Sequence, residues 1–205
     1  MVPQAGGPPV SPRPPTAVVV GASAGAVEAV GSLLAGLPAG FEPAVVVVVH
    51  LPPDRPSLLA RIFAGRCALP VLEAEDKQPL AGGAVFIAPP DYHLLVEREA
   101  RLALSRDGWV HFSRPSIDVL FESAAHALGD RVAGVLMTGA SADGAAGLRS
   151  IARAGGATAV EDPDTAHAST MPRAALALMR PDLVGDVAAL TRWVRSLSPP
   201  TKDPP

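Results

Sequence analysis

Thr16-Ala-Val-Val-Val-Gly-Ala-Ser-Ala-Gly-Ala-Val-Glu-Ala-Val30 decides how the chain is read. The β-branched run at residues 18–20 predicts a buried strand ending at Gly21. A helical period follows over residues 24–35, with Val27, Val30, Leu33, Leu34 and Leu37 on one face and Pro38 as a stop. Between strand and helix lies Gly21-Ala-Ser-Ala-Gly25, a G-x-S-x-G turn. In a strand–turn–helix setting it lifts the Ser23 hydroxyl clear of the sheet. The first N–H groups of the helix then face whatever that hydroxyl attacks. The glycines supply unusual backbone angles and close packing. The same turn lacks the second glycine that a dinucleotide pyrophosphate needs.

Working outward, residues 44–49 form a continuous apolar run, the pattern of a parallel strand covered on both faces. Pro52 and Pro53 turn the chain out of the sheet, which leaves His50 at the carboxyl end of that strand. A helix from about Pro56 sets Leu58, Leu59, Ile62 and Phe63 on one face. Strand–helix–strand–helix order predicts an α/β domain with a helix-covered parallel sheet. Short runs at residues 83–88, 92–97 and 101–105 are spaced as hairpins and predict an antiparallel extension. Ser116 caps a helix whose inner face is Ile117, Leu120, Phe121, Ala124 and Leu128. A strand at 132–138 enters a second glycine-rich turn, Gly139-Ala-Ser-Ala-Asp-Gly-Ala-Ala-Gly147, and Leu148 and Ile151 face the core of the following helix. A strand at 157–160 leads into the acidic loop 161–167. Pro172 opens a short helix, and Asp186 caps a last one striped by Val187, Leu190, Val194 and Leu197.

The chain has 205 residues, nearly half of them apolar, enough for one domain with a substantial core. Residues 1–15 and 198–205, rich in Pro, read as disordered tails around a folded unit at 16–197. The first of them has no apolar run of the kind a secretory signal carries. A formal charge of −3, scattered cations and 4% aromatic residues give no nucleic-acid footprint. The longest apolar run is too short to span a bilayer. Cys67 is the single cysteine and reads as a small core residue. It excludes an internal disulfide and a cysteine metal site, and it fits a reduced cytoplasmic setting. Weak charge and short length give a monomer as the expected state.

Polar candidates stand at three strand ends: Ser23, His50 and Asp143. Ligands of open parallel sheets bind outside the carboxyl ends of the strands, so the three can meet in one crevice. A serine needs a base, and the base an orienting carboxylate. Each residue also has an ordinary reading: Ser23 as a helix cap, His50 on a strand-end carbonyl, Asp143 as a cap of its own helix. His167, following Asp143, Asp162 and Asp164, offers a rival base in the order Ser–Asp–His. His93, His111 and His126 read as surface positions.

These segments resemble the catalytic domain of the bacterial chemotaxis protein-glutamate methylesterases, the CheB family, over residues 16–197. The resemblance rests on Val20-Gly-Ala-Ser-Ala-Gly25, Val49-His50-Leu-Pro-Pro53, Glu73-Ala-Glu-Asp76 and Phe86-Ile-Ala-Pro-Pro-Asp-Tyr-His93. It continues through Ser113-Arg-Pro-Ser-Ile-Asp-Val-Leu-Phe121, Gly134-Val-Leu-Met-Thr-Gly139, Ala142-Asp-Gly-Ala-Ala-Gly147 and Met171-Pro-Arg-Ala-Ala175. It implies a doubly wound, mostly parallel sheet flanked by helices. It implies hydrolysis of glutamyl methyl esters on a methyl-accepting chemoreceptor or related signalling protein, with methanol released and, in some members, glutamine deamidation. It carries the nucleophile onto Ser23, the base onto His50 and the orienting carboxylate onto Asp143, and it implies no metal or organic cofactor. Backbone N–H groups of Ala24, Gly25 and Ala140 are its candidate oxyanion and substrate donors. Two departures stand out. Ser23-Ala-Gly-Ala26 replaces the usual Ser-Thr-Gly-Gly, and Ala140 replaces a methionine that lines the family's site. The family commonly carries an N-terminal receiver domain, where this chain has a short tail. A catalytically reduced homologue serving as a binding or regulatory module, and a small-ester hydrolase using Ser23 with His167, are the alternatives.

Overall fold

Seven parallel strands form the centre of the molecule, in the computed structural model that describes residues 15–51 and 56–198. The expected tails at 1–15 and 198–205, apart from residues 15 and 198, and the turn through Pro52 and Pro53 lie outside the described residues. In chain order the elements are β1 (Ala17–Ala22), α1 (Ala26–Ala35), β2 (Ala44–Val49), α2 (Leu59–Ala64), β3 (Val71–Glu73), β4 (Val85–Ile87), β5 (His93–Glu97) and β6 (Arg101–Ser105). There follow α3 (Ile117–Leu128), β7 (Val132–Leu136), α4 (Ala145–Arg153), β8 (Ala157–Glu161), α5 (Thr170–Leu178), β9 (Leu183–Gly185) and α6 (Val187–Ser196). The sheet order is β3-β4-β2-β1-β7-β8-β9. The chain leaves β1 in one direction toward β2 and later returns to its other side with β7, so the strand order reverses at β1. That reversal opens a crevice beyond the carboxyl ends of β1, β2 and β7.

All six residues of β1 and all six of β2 are buried, the reason both read as unbroken apolar runs. Val18, Val20, Val45 and Val47 pack toward α1, α2 and α6, whereas Val19, Val46 and Val48 pack toward α3, α4 and α5. At about 1.5–3 kcal/mol for each fully buried valine, these two strands supply much of the core.

The hairpin β5–β6 is a separate two-stranded antiparallel sheet. The run around residues 83–88 was expected to share in the hairpins. Its strand β4 instead lies between β3 and β2 in the main sheet, parallel to both, because that slot buries Val85, Phe86 and Ile87 completely. Three expected core residues are exposed: Val27 at 43%, Leu58 at 53% and Ile62 at 38%. The left-handed Gly25 starts α1 at Ala26, and the buried face is then Ala26, Val30, Leu33, Leu34 and Leu37. Leu58 precedes α2 as its cap residue, so only Leu59 and Phe63 of that helix are buried. Among the described residues, no helix is long and apolar enough to cross a membrane.

Candidate active site

Ala22 of β1 pairs with Val49 of β2, and one residue further on come Ser23 and His50. The β1 strand extends through Gly21 to Ala22, so Gly21 is a strand residue and the turn is Ser23-Ala24-Gly25. Gly25 holds φ +85 and is the cap residue of α1, with no side-chain capping bond, so Ser23 does not cap the helix. Ser23 is pinned through its backbone: its N–H donates to the Thr138 carbonyl at 2.9 Å, and its own carbonyl accepts from Ala26 N–H at 2.9 Å. Ala24, Gly25 and Ala140 donate no backbone hydrogen bond among the described residues. Ala24 and Gly25 directly follow the serine, and Ala140 follows the end of the Thr138 segment that binds it.

Asp143 is fully buried at the second glycine-rich turn. It was weighed as a cap for its own helix, but the cap residue of α4 is Gly144 at φ +93, with no side-chain bond. The Asp143 carboxylate instead sits at the N-terminus of α3. There Oδ1 accepts from Asp118 N–H at 3.0 Å and from Ser116 Oγ at 2.8 Å. Its Oδ2 accepts from Ile117 N–H at 2.7 Å and from His50 Nε2 at 2.7 Å. Two N–H groups that the helix cannot satisfy internally thus hold an anion, and Ser116 takes a third by accepting from Val119 N–H. Burial alone would push the Asp143 carboxyl up. The donors together outweigh it, His50 foremost and then the α3 backbone and Ser116, and hold it below its ordinary value. His50 uses Nε2 for Asp143, so Nδ1 is the ring nitrogen that the neutral tautomer offers as an acceptor.

Gly21 makes this possible from a distance. A side chain there would collide with Ile117, and one on Gly144 would meet the same residue at 2.6 Å. Ile117 fills the space between the two glycines, and its N–H is the one aimed at Asp143 Oδ2.

Three residues around the site, Thr138, Glu161 and Asp118, were not singled out in the sequence. Thr138, fully buried, donates from Oγ1 to the Ala24 carbonyl at 2.8 Å and accepts there from Ala168 N–H at 2.8 Å. Glu161, at the end of β8, accepts from Thr138 N–H at 2.7 Å. Burial raises its carboxyl, against that bond. Asp118 accepts from Gly147 N–H at 2.7 Å; burial first, and then the Asp143 charge, raise its carboxyl. Ser116 was read only as a cap. The signal that could have found Thr138 and Glu161 is a polar residue at or just past the carboxyl end of a buried strand.

The other histidines separate clearly. His167 abuts Gly25 and, with Thr138 and Glu161, lines a cavity of about 250 Å³ on the α1 side. His93, expected on the surface, is buried: Nε2 donates to the Gly108 carbonyl at 3.0 Å and Nδ1 accepts from Ser116 N–H at 3.1 Å. His111 Nε2 lies 3.2 Å from an Asp118 oxygen, and His126 is exposed beside Arg98. His111, Asp118 and Asp143 bring ligand atoms within 4.8 Å of one another. The Asp143 oxygens already accept from four donors, so this set is arranged for hydrogen bonding rather than for an ion. Cys67 is half-buried, and burial raises its thiol.

The chain matches the CheB methylesterase family over residues 18–194. A Leptospira interrogans protein, provisionally named a protein-glutamate methylesterase/protein-glutamine glutaminase, is 42% identical over 168 residues, 82% of this chain and 87% of its own. Protein-glutamate methylesterase/protein-glutamine glutaminase 5 of Anaeromyxobacter dehalogenans is 43% identical over 176 residues, covering 84% of this chain and 48% of that one. The crystal structure of the Thermotoga maritima CheB methylesterase catalytic domain superposes with a TM-score of 0.85 at 28% identity, over 89% of this chain and 98% of that one. By family match, by relatives of more than 40% identity and by shared fold, the chain belongs to the CheB methylesterase family.

Proposed function

We propose that this chain hydrolyses glutamyl methyl esters on chemoreceptor proteins through Ser23, His50 and Asp143, and deamidates receptor glutamines by the same acyl chemistry. The observation that carries the reading is the 2.7 Å bond from His50 Nε2 to the buried Asp143, one residue past the strand pair whose other member leads into Ser23. With Nε2–H held by the carboxylate, Nδ1 takes the Ser23 proton as Oγ attacks the ester carbonyl. The negative charge that develops on the carbonyl oxygen is met by the N–H groups of Ala24, Gly25 and Ala140. Loss of one such donor typically costs about 3–4 kcal/mol. Protonated His50 returns its proton to the leaving methoxide, and methanol departs. His50 then deprotonates a water that opens the acyl-enzyme and leaves a glutamate. With a glutamine substrate the leaving group is ammonia. Replacement of the usual threonine by Ala24 and of a methionine by Ala140 removes side chains while keeping both backbone donors, so the donor function persists. On this reading the chain acts in the cytoplasm, as a monomer, on a receptor it meets in trans.

The test is methanol release from methylated chemoreceptor membranes. Wild type is expected to release methanol, and folded Ser23→Ala to lose at least about 10³-fold in kcat. Full activity in Ser23→Ala, or no release by folded wild type, refutes the assignment.

A further inference from the structure

The cavity of about 250 Å³ on the α1 side has no part in the proton transfers above. Its lining runs from α1 across the residues ending β7 and β8 to the 165–167 loop and the start of α6. Burial orders that lining. Thr138 and Glu161 are buried at its inner end, whereas Glu28, Thr165 and His167 are exposed at its mouth. Ala29 and Val187, both partly buried, give its walls apolar surface.

Glu161 is 3% exposed, and among the described residues it forms no ion pair. Its Oε2 accepts from Thr138 N–H at 2.7 Å, and Oε1 has no protein donor among the described residues. No fully buried side-chain oxygen among those residues lacks a partner, so Oε1 is not sealed in the core and opens into the cavity that Glu161 lines. A carboxylate taken out of water is costly until a cation or donors complete it. Burial accordingly raises the Glu161 carboxyl. No lysine or arginine lines the cavity, and Glu28, its other carboxylate, already has Arg66 at 3.4 Å. What complements Glu161 is a single positive charge, and among the described residues the fold does not supply it.

The shape narrows the chemistry. A free ammonium ion is close to a water molecule in size, whose share of the liquid is about 30 Å³, and would fill little of the cavity. Ala29 and Val187 offer surface to an alkyl stem, with the carboxylate at the inner end. A guanidinium prefers both oxygens of a carboxylate, and Thr138 N–H already holds one of them; an ammonium needs only one. We propose that the cavity binds an alkylammonium group, its stem against Ala29 and Val187 and its nitrogen on Glu161 Oε1. A lysine side chain of a protein substrate and a free primary amine present this same group. Occupancy bears on the serine turn. Thr138, whose N–H Glu161 holds, also accepts from Ser23 N–H at 2.9 Å and donates to the Ala24 carbonyl at 2.8 Å, and Gly25 forms part of the cavity wall.

The experiment titrates n-butylammonium chloride into the full chain at pH 7 and follows the Thr138 backbone amide by NMR, with sodium chloride as the control. The Thr138 resonance is expected to move along a saturable curve with the amine and not with the salt. Glu161→Gln keeps an acceptor for Thr138 N–H and loses the charge, so its affinity for the amine is expected to fall about tenfold or more. Ala29→Leu keeps the carboxylate and crowds the stem, and is expected to weaken binding as well. No saturable shift in wild type overturns the site, as does unchanged affinity in either variant. A second arm measures methanol release from methylated receptor membranes with the amine present. A rise in receptor KM for wild type, absent in Glu161→Gln, supports the site with a substrate lysine as its occupant; release unaffected by the bound amine supports it with a free amine. Only this arm rests on the esterase reading. Wild type that releases no methanol refutes that reading, and the amide titration still decides the site.

Discussion

Replacing Asp143 by Asn probes the site at its most committed point. Each carboxylate oxygen accepts one backbone N–H and one side-chain donor: Asp118 N–H with Ser116 Oγ on Oδ1, Ile117 N–H with His50 Nε2 on Oδ2. An amide offers one accepting oxygen and one donating nitrogen. The serine hydroxyl can rotate and the imidazole can exchange its proton, but a backbone N–H can do neither. Whichever way the amide turns, one buried backbone N–H of α3 is orphaned, at about 1–3 kcal/mol. Loss of the anion at the helix N-terminus adds about 0.3–1 kcal/mol. Removing the charge beside Asp118, whose carboxyl is raised partly by Asp143, returns some of this. The expected net loss is about 2 kcal/mol at pH 7, read by urea denaturation. The Asp143 carboxyl lies below its ordinary value of 3.8, so the stability it contributes is complete above that value and is lost as pH falls through the lower folded one. The gap between wild type and Asp143→Asn must then narrow below pH 3.8. In turnover the variant is expected to lose about 10⁴-fold in kcat, because His50 loses either the right proton position or the charge that stabilises its cation. Equal stability at pH 7, or a gap that stays constant as pH falls, refutes this account of the carboxylate.

Thr138→Val keeps the shape but deletes the Oγ1 bonds to the Ala24 carbonyl and from Ala168 N–H, with an expected cost of about 1–3 kcal/mol in denaturant. Its kcat for methanol release should fall more than its KM changes, and Thr138→Ser should restore both. A Thr138→Val enzyme with unaltered kcat removes the clamp on the serine turn from the mechanism. Glu161→Gln retains an acceptor for Thr138 N–H and abolishes a buried charge whose carboxyl is raised. A raised carboxyl contributes its stability below the ordinary value of 4.5 and loses it as pH rises through the folded value. The glutamine variant should therefore melt above wild type at pH 7 and lose that advantage below pH 4.5; a constant difference in Tm contradicts the assignment.

What the sequence disclosed and what it hid divide along a physical line. The bounds of β2 were legible because a parallel strand covered on both faces must be apolar throughout, and Ala44–Val49 is. The caps Ser116 and Asp186 were legible because a cap closes within three residues of itself, on Val119 and Ala189 N–H. The strands β3 and β9 were not, because three residues at a sheet edge carry no period to read. The membership of β4 in the parallel sheet depends on which distant strand leaves a slot, and no local pattern encodes that. His93 was misjudged for the same reason: its two ring partners, Gly108 and Ser116, are brought to it only by the tertiary fold.

Of the site, the residue types at the strand ends were readable and their partners were not. Asp143 has the composition of a cap in its own turn, and it is a cap, but for α3, a helix that ends before β7 begins. The link is steric before it is polar. A side chain at Gly21 would displace Ile117, and with it the N–H that binds Asp143 Oδ2, so the first glycine of the G-x-S-x-G turn governs the carboxylate end of the site more than the serine end. The last glycine, Gly25, governs the serine end through its left-handed backbone. The motif thus spaces two different constraints four residues apart. One lets α3 approach β1, the other lets α1 leave it, and the strand pairing Ala22–Val49 places the His50–Asp143 pair one residue past β2, alongside the exit of β1 into Ser23.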